Sequence, residues 1–175
     1  MILEDCRVPA SALLGGVENA GFRTAMKVPD RGPLQIAAVC VGAAGRLIHE
    51  SLTYAMQRVQ FGRPIADQQL VQAMLADSRA ESYAARCMVE HAARMKDAGR
   101  DVPEEAACAK MYASEMVGRV ADRAVQIHGG AGYMRGSAVE RFYRDVRLFR
   151  IYEGTTQILQ IVIARSMIRS ARRNG

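Results

Sequence analysis

The stretch VQIHGGAGYMRGSAVERFYRDVRLFRIYEGTTQ, residues 125–157, decides between two fold classes. A glycine loop that binds a dinucleotide in an α/β fold needs a strand before it and a helix after it. Here His128-Gly129-Gly130-Ala131-Gly132 follows Met111, Met116, Val117, Val120 and Val125, apolar residues at helical spacing. A Rossmann site is therefore rejected. The loop reads as a helix end and turn, or as a point where backbone comes close to a ligand. At the far end of the stretch, Ile151-Tyr152-Glu153-Gly154-Thr155-Thr156-Gln157 places a carboxylate on a break between two helical patterns. Gly154 can take a backbone conformation closed to other residues. Two readings of Glu153 stay open from the residues. It is a surface acid favoured by the helix dipole, or a carboxylate partly buried by Tyr152 and residues 148–151, with its pKa raised towards that of a useful base.

Working outward, the rest of the chain reads as helices. Ile36, Val39, Cys40, Ala43, Leu47, Leu52 and Met56 recur at helical spacing from about Leu34 to Gln57, after a turn at Asp30-Arg31-Gly32-Pro33. Leu70, Met74, Leu75, Ala85, Met88, Val89 and Ala92 mark a second helix over about 67–98, ended by Gly99. Asp101 stands three residues before Glu104 with Pro103 between, the signature of a capping box opening a third helix to about Ile127. A short helix is predicted over 137–149. A last one runs from Thr155 to about Arg172, with Ile158, Ile161, Val162 and Met167 on its inner side. Residues 2–8 alternate imperfectly up to Pro9, which fits a short edge strand without a partner. The expected fold is all-α: an antiparallel up-and-down bundle of four long helices and a short one, behind a short extended amino-terminal segment.

Composition agrees with this and narrows the function. Half of the 175 residues are apolar, mostly aliphatic, with no Trp, enough for one core. The net charge is +6, but bases and acids are interleaved, which disfavours nucleic acid and equally suits a small phosphate-bearing ligand. Cys6, Cys40, Cys87 and Cys108 lack metal-ligand spacing, as do His49, His91 and His128, and read as thiols of a reducing cytoplasm. No metal is expected, and no apolar run would span a bilayer. The segment Arg58-Val-Gln-Phe-Gly-Arg-Pro64 interrupts two helices. Such a segment is most often a connector, although its guanidinium groups suit a pyrophosphate.

Several of these segments together resemble the carboxy-terminal helical domain of the acyl-CoA dehydrogenase family. They are Arg58-Val-Gln-Phe-Gly-Arg-Pro-Ile with Gln69, then Gln126-Ile-His-Gly-Gly-Ala-Gly, Arg144-Asp145 and Ile151-Tyr-Glu-Gly-Thr, in order and covering nearly the whole chain. The resemblance assigns residues 31–175 to that domain. It makes residues 1–30 the remnant of the family's middle β-domain, through Arg7-Val8-Pro9 and Leu14-Gly15-Gly16. It implies FAD-dependent α,β-dehydrogenation of an acyl-CoA thioester, with Glu153 matching the base. Arg58, Gln60, Phe61, Gln69, Gln126 and Gly130 match contacts to FAD held mainly by a neighbouring subunit. Thr155 and Gln157 match FAD contacts just after the base, and Gly154 adjoins the thioester. Asp30 and Arg31 fall where the family meets substrate, with Pro33 and Gln160 standing where arginines are usual. A homodimer or homotetramer follows, with electron-transfer flavoprotein or a similar acceptor. With the amino-terminal domain and most of the middle domain missing, a companion subunit would have to supply them. The alternative is a non-catalytic helical interaction module derived from such an enzyme.

Overall fold

Alanine and serine at helical spacing let one helix be packed on most of its surface, and the others gather around it. The computed structural model describes residues 2, 4–18, 21 and 32–174. It contains α1 (Gly32–Gln57), a hairpin of β1 (Val59–Gln60) and β2 (Arg63–Pro64), α2 (Gln69–Asp97), α3 (Pro103–His128), α4 (Gly130–Tyr133), α5 (Ala138–Val146) and α6 (Thr156–Asn174). The fold is the all-α one expected, with four long helices and the short α5. Among the described residues no helix is long and apolar enough to cross a membrane.

Helix α3 packs against α1, α2, α4, α5 and α6. Its sequence explains why. Ala106, Ala109, Ala113, Val117, Val120, Ala121 and Ala124 recur three or four apart and are buried, so neighbouring backbones can come close. Leu47 and Cys40 of α1 and Ala85 of α2 complete the core with Met116 of α3 and Val139 and Val146 of α5. The start of α3 differs from the capping box expected. Val102 is the N-cap, no side chain caps it, and Pro103 enters the first turn with Glu104 and Glu105, where its missing N–H costs nothing.

The inner faces differ from the periodic reading at several positions. On α1 the buried line is Ala37, Cys40, Ala44, Leu47, Ser51 and Ala55, whereas Val39, Leu52 and Met56 are exposed. On α2, Ser78 and Ser82 are buried and Leu70 is exposed. The hydroxyls of Ser51 and Ser78 donate to the carbonyls of Leu47 and Met74, which removes the penalty of burying them. On α6 the buried residue is Leu159; Ile158, Ile161, Val162 and Met167 are exposed, contrary to expectation. On α1 and α2 size alone misleads, because close helix contacts select small side chains and leave larger ones outside.

The chain divides into units Met1–Arg31 and Gly32–Gly175. In the first, residues 4–8 form no strand. Asp5 has a φ of +48°, which breaks the extension, and the 3-10 turns Ala10–Ala12 and Leu14–Gly16 follow. Without a ladder partner a lone strand has no reason to form.

One ion-pair cluster ties α2 to α3. Arg119 Nε donates to Glu81 Oε2 at 2.9 Å and Arg123 Nη2 to Oε1 at 2.7 Å. Burial alone would raise the Glu81 pKa, but the hydrogen bonds and charge of Arg123 and Arg119 outweigh it and hold the carboxyl below its ordinary value. A carboxyl depressed in the folded state stabilises the fold above the ordinary carboxylate range and ceases to as pH falls through its folded value. Urea midpoints should therefore drop on acidification from neutral pH more steeply for the natural chain than for Glu81→Gln. Separately, Leu47→Ala should cost about 2–5 kcal/mol in urea unfolding, and Leu70→Ala less than about 0.5 kcal/mol.

Candidate functional site

The backbone around Glu153 is unusual for its residue type. After α5 the chain makes the 3-10 turn Arg147–Arg150, and the N–H groups of Ile151 and Tyr152 both donate to Leu148 O, at 2.9 and 3.3 Å. Glu153 then takes φ +52° and Gly154 φ +92°. The left-handed region is costly for a residue with a side chain and free for glycine. Thr155 opens α6, accepting the Ile158 N–H on its Oγ1 at 3.3 Å and the Leu159 N–H on its carbonyl at 3.0 Å. Tyr152 stacks on Phe149 with centroids 5.9 Å apart.

Helix α3 fastens this loop at three points. Lys110, fully buried, donates from Nζ to Gly154 O at 2.5 Å. Glu115 Oε1 accepts from Thr156 Oγ1 at 2.9 Å. Glu115 Oε2 lies 3.3 Å from Arg150 Nε, as an ion pair without hydrogen-bond alignment. Arg150 passes so close to Gly118 that a Cβ there would overlap its guanidinium. On the far side, the Glu153 carboxylate lies against Gly32, the first residue of α1, and a Cβ on Gly32 would overlap Oε2. The result is a half-buried carboxylate on a loop that is fastened on both sides of it.

The other residues singled out lie elsewhere. Arg58 directly follows α1, its N–H donating to Tyr54 O at 2.8 Å, and its carbonyl accepts from Ile65 N at 2.8 Å. What reads as a connector is a tight hairpin, with Val59 paired to Pro64 and Gln60 to Arg63. Its tip residues Phe61 and Gly62 have φ +54° and +79°, the left-handed pair that a two-residue hairpin demands. The Phe61 ring is 92% exposed. Gln69 begins α2 and is exposed. Gln126 and Gly130 lie at the end of α3 and the start of α4, both exposed. His128 between them faces Ala124 O through Nδ1 at 2.8 Å and stacks on Tyr54 with centroids 4.3 Å apart. That stack brings the end of α3 beside the last turns of α1.

Two groups result. Arg58, Gln60, Phe61, Gln69, Gln126 and Gly130 gather where α1 ends, whereas Glu153, Gly154, Thr155 and the exposed Gln157 gather where it begins. With 26 residues, α1 separates them by roughly 39 Å. A cavity of about 1370 Å³ beside α3, α4 and α5 takes in Gln126 with Arg119, Arg123, Arg144, Arg147 and Arg150. Arg123 Nη1 is buried without a hydrogen-bond partner in the structure. Asp30 and Arg31 lie outside the described residues. Pro33 sits half-buried in the first turn of α1. Among the described residues no group of three or more His, Cys, Asp or Glu side chains could hold a metal.

Lys110, Glu115 and Gly32 escape a reading of motifs. Their partners are distant in sequence, 44 residues for Lys110 and 41 for Glu115. One signal was available for Lys110. It shares the helical phase of Ala106, Ala113 and Val117, so a lysine falls on the face that must be buried.

The chain matches the family description "Acyl-CoA dehydrogenase, C-terminal domain" over residues 19–168. It is 47% identical to the probable acyl-CoA dehydrogenase YngJ of Bacillus subtilis, over 97% of this chain and 44% of that protein. It is 44% identical to the acryloyl-CoA reductase (NADH) of Anaerotignum propionicum, over 97% of this chain and 43% of that one. Among solved structures, butyryl-CoA dehydrogenase from Megasphaera elsdenii superposes with a TM-score of 0.82 at 38% identity, over 87% of this chain and 40% of that one. The chain thus spans less than half the length of the relatives it matches.

Two expected outcomes test the local geometry. Gly154→Ala should destabilise the chain by about 1 kcal/mol or more, because alanine resists positive φ and its Cβ would stand 3.3 Å from Leu159 Cδ2; urea unfolding reads this directly. Burial pushes the Cys40 thiol up to about 12, against the opposing charge of Lys110 and a backbone hydrogen bond. Iodoacetamide at neutral pH should accordingly label the exposed Cys6 and Cys87 and reach Cys40 only in denaturant, as mapped by mass spectrometry.

Proposed function

The chain belongs to the acyl-CoA dehydrogenase family, and from that premise we propose that it is the base-bearing helical part of an FAD-dependent enzyme that dehydrogenates an acyl-CoA thioester between its α and β carbons. Glu153 is the base. The observation that carries this reading is the seat of its carboxylate: a left-handed, non-glycine residue fastened on both sides by α3 and laid against a glycine of α1. A strained backbone maintained by several distant contacts is characteristic of functional positions.

In the proposed reaction the thioester acidifies the α-carbon, and a Glu153 carboxylate oxygen takes the α-proton. FAD, when bound, would supply the acceptor for the β-hydrogen and its electron pair, leaving the bond between the α and β carbons double. This chain's residues contribute position and charge. Gly154, Asp30 and Arg31 would meet the substrate. The same carboxylic acid would return the proton in the reducing direction, in keeping with a dehydrogenase and a reductase both standing among the relatives.

The residues at the hairpin fit a flavin cofactor of another copy. Arg58 and Gln60 provide donors, and Phe61 an exposed ring held at a rigid tip. Thr155 and Gln157 would serve the copy that carries the Glu153 in use. The roughly 39 Å of α1 between the two groups supports a site assembled from two chains, hence a homodimer or homotetramer. Because the chain spans under half of its relatives, the walls that exclude water from the acyl pocket would come from a further segment or companion subunit. Electron-transfer flavoprotein or a similar acceptor, in the cytoplasm, would reoxidise the flavin.

The test is an absorbance spectrum of protein titrated with FAD, run with its mass in solution and followed by acyl-CoA addition to the flavin-loaded material. Flavin should co-elute with an oligomer, and Phe61→Ala should weaken its retention. Glu153→Gln should keep the flavin yet slow its bleaching by acyl-CoA by about 10²-fold or more. Bleaching at the natural rate in Glu153→Gln would overturn the assignment of the base, and absence of flavin at saturation would overturn the cofactor site.

A further inference from the structure

Lys110 is the one lysine side chain in the core of the described residues, with no exposed surface. Burying an ammonium group is costly, and lysines are seldom fully buried unless paired. Its hydrogen-bond partner is not a carboxylate but the carbonyl of Gly154, at 2.5 Å. A carbonyl leaves the positive charge uncancelled. The surrounding groups do not remove it either. Cys40, facing it from α1, is held as a neutral thiol, and Glu115 on its own helix is already occupied by Thr156 and Arg150. Glu153 completes the titratable groups that act on it, and it is the acid among them with no ion pair among the described residues.

The geometry gives this charge a task. Glu153 and Gly154 are successive left-handed residues, a conformation that Glu153 would leave readily if the turn were free. A bond to the Gly154 carbonyl fixes the peptide that joins Gly154 to Thr155, and so holds the chain immediately after the two left-handed residues. Gly32 at the start of α1 bounds the Glu153 carboxylate, with no room for a Cβ. We propose that Lys110 is the positioning residue of the Glu153 carboxylate, anchoring the left-handed turn through the Gly154 carbonyl. This rests on the reading of Glu153 as the base, and extends it to a residue outside the site's motifs.

The ammonium itself reports the coupling. Burial lowers the Lys110 pKa, against the raising influence of the Glu153 and Glu115 carboxylates. Removing the Glu153 charge must therefore lower it further. In the 175-residue chain, the Lys110 side-chain ¹³Cε resonance would be titrated with and without Glu153→Gln, a change at a half-buried loop position. The expected result is a further downward move of the Lys110 titration. A lysine whose ammonium is not held beside the Glu153 turn would titrate identically in both. In a Lys110→Met chain, resonances and amide exchange at 153–155 should change while those of Leu47 and Val117 stay. An unchanged Lys110 titration in Glu153→Gln overturns the proposal, and if Lys110→Met does not fold, that titration decides alone. The function fails separately: a Glu153→Gln protein that still bleaches flavin at the natural rate refutes the base while leaving the coupling intact.

Discussion

The close packing of α3 is the constraint on which the rest depends. A helix surrounded by five others must present small side chains, and its alanines and Ser114 allow neighbouring backbones to approach. Once α3 is enclosed, every polar group it carries on a buried face must find a partner inside the protein. Lys110, Ser114 and Glu115 find theirs in a carbonyl of the Glu153 loop, in the helix's own Met111 carbonyl, and in Thr156 and Arg150. The core and the candidate site thus share a single element. A change that loosens the packing of α3 also moves the atoms that hold the carboxylate.

Backbone strain is distributed unevenly. Among the described residues, the non-glycine positions with positive φ are Asp5, Phe61 and Glu153. Two of these three carry the side chains most directly implicated by the resemblance, one at the hairpin tip and one in the carboxylate seat. They are kept by different means. Phe61 is held by a two-residue hairpin whose handedness requires the left-handed pair. Glu153 is held by contacts from other helices. A hairpin keeps its shape locally, so it can project a ring into solvent towards a second molecule. The carboxylate needs its own bundle around it.

Much of this was legible beforehand. The helix limits follow from apolar periodicity and from Gly99 and Pro103, and the structure agrees to within a few residues. Which side of each helix faces inward was read less well. Val39, Leu52 and Leu70 are larger and more apolar than Ala37, Ala44, Ser51 and Ser78 of the same helices, yet the smaller residues are inside. Apolarity identifies what gains from burial in general, but the width of the gap between two helices decides which side chain fits. The box expected at Asp101 failed because proline, which needs no donor partner, opened the helix without a side-chain cap.

By itself, the amino-acid sequence determined the fold class, the order of the helices, the break that carries Glu153 and the family to which the chain belongs, since these depend on local spacing and on motifs contiguous in the chain. Only the tertiary structure decided that Gly32 faces the carboxylate, that Lys110 and Glu115 secure its loop, and that the hairpin residues lie at the opposite end of α1 from Glu153. Those relations join residues tens of positions apart. They are fixed by how closely α1, α3 and α6 approach, a distance that no single segment encodes and that their packed side chains set together.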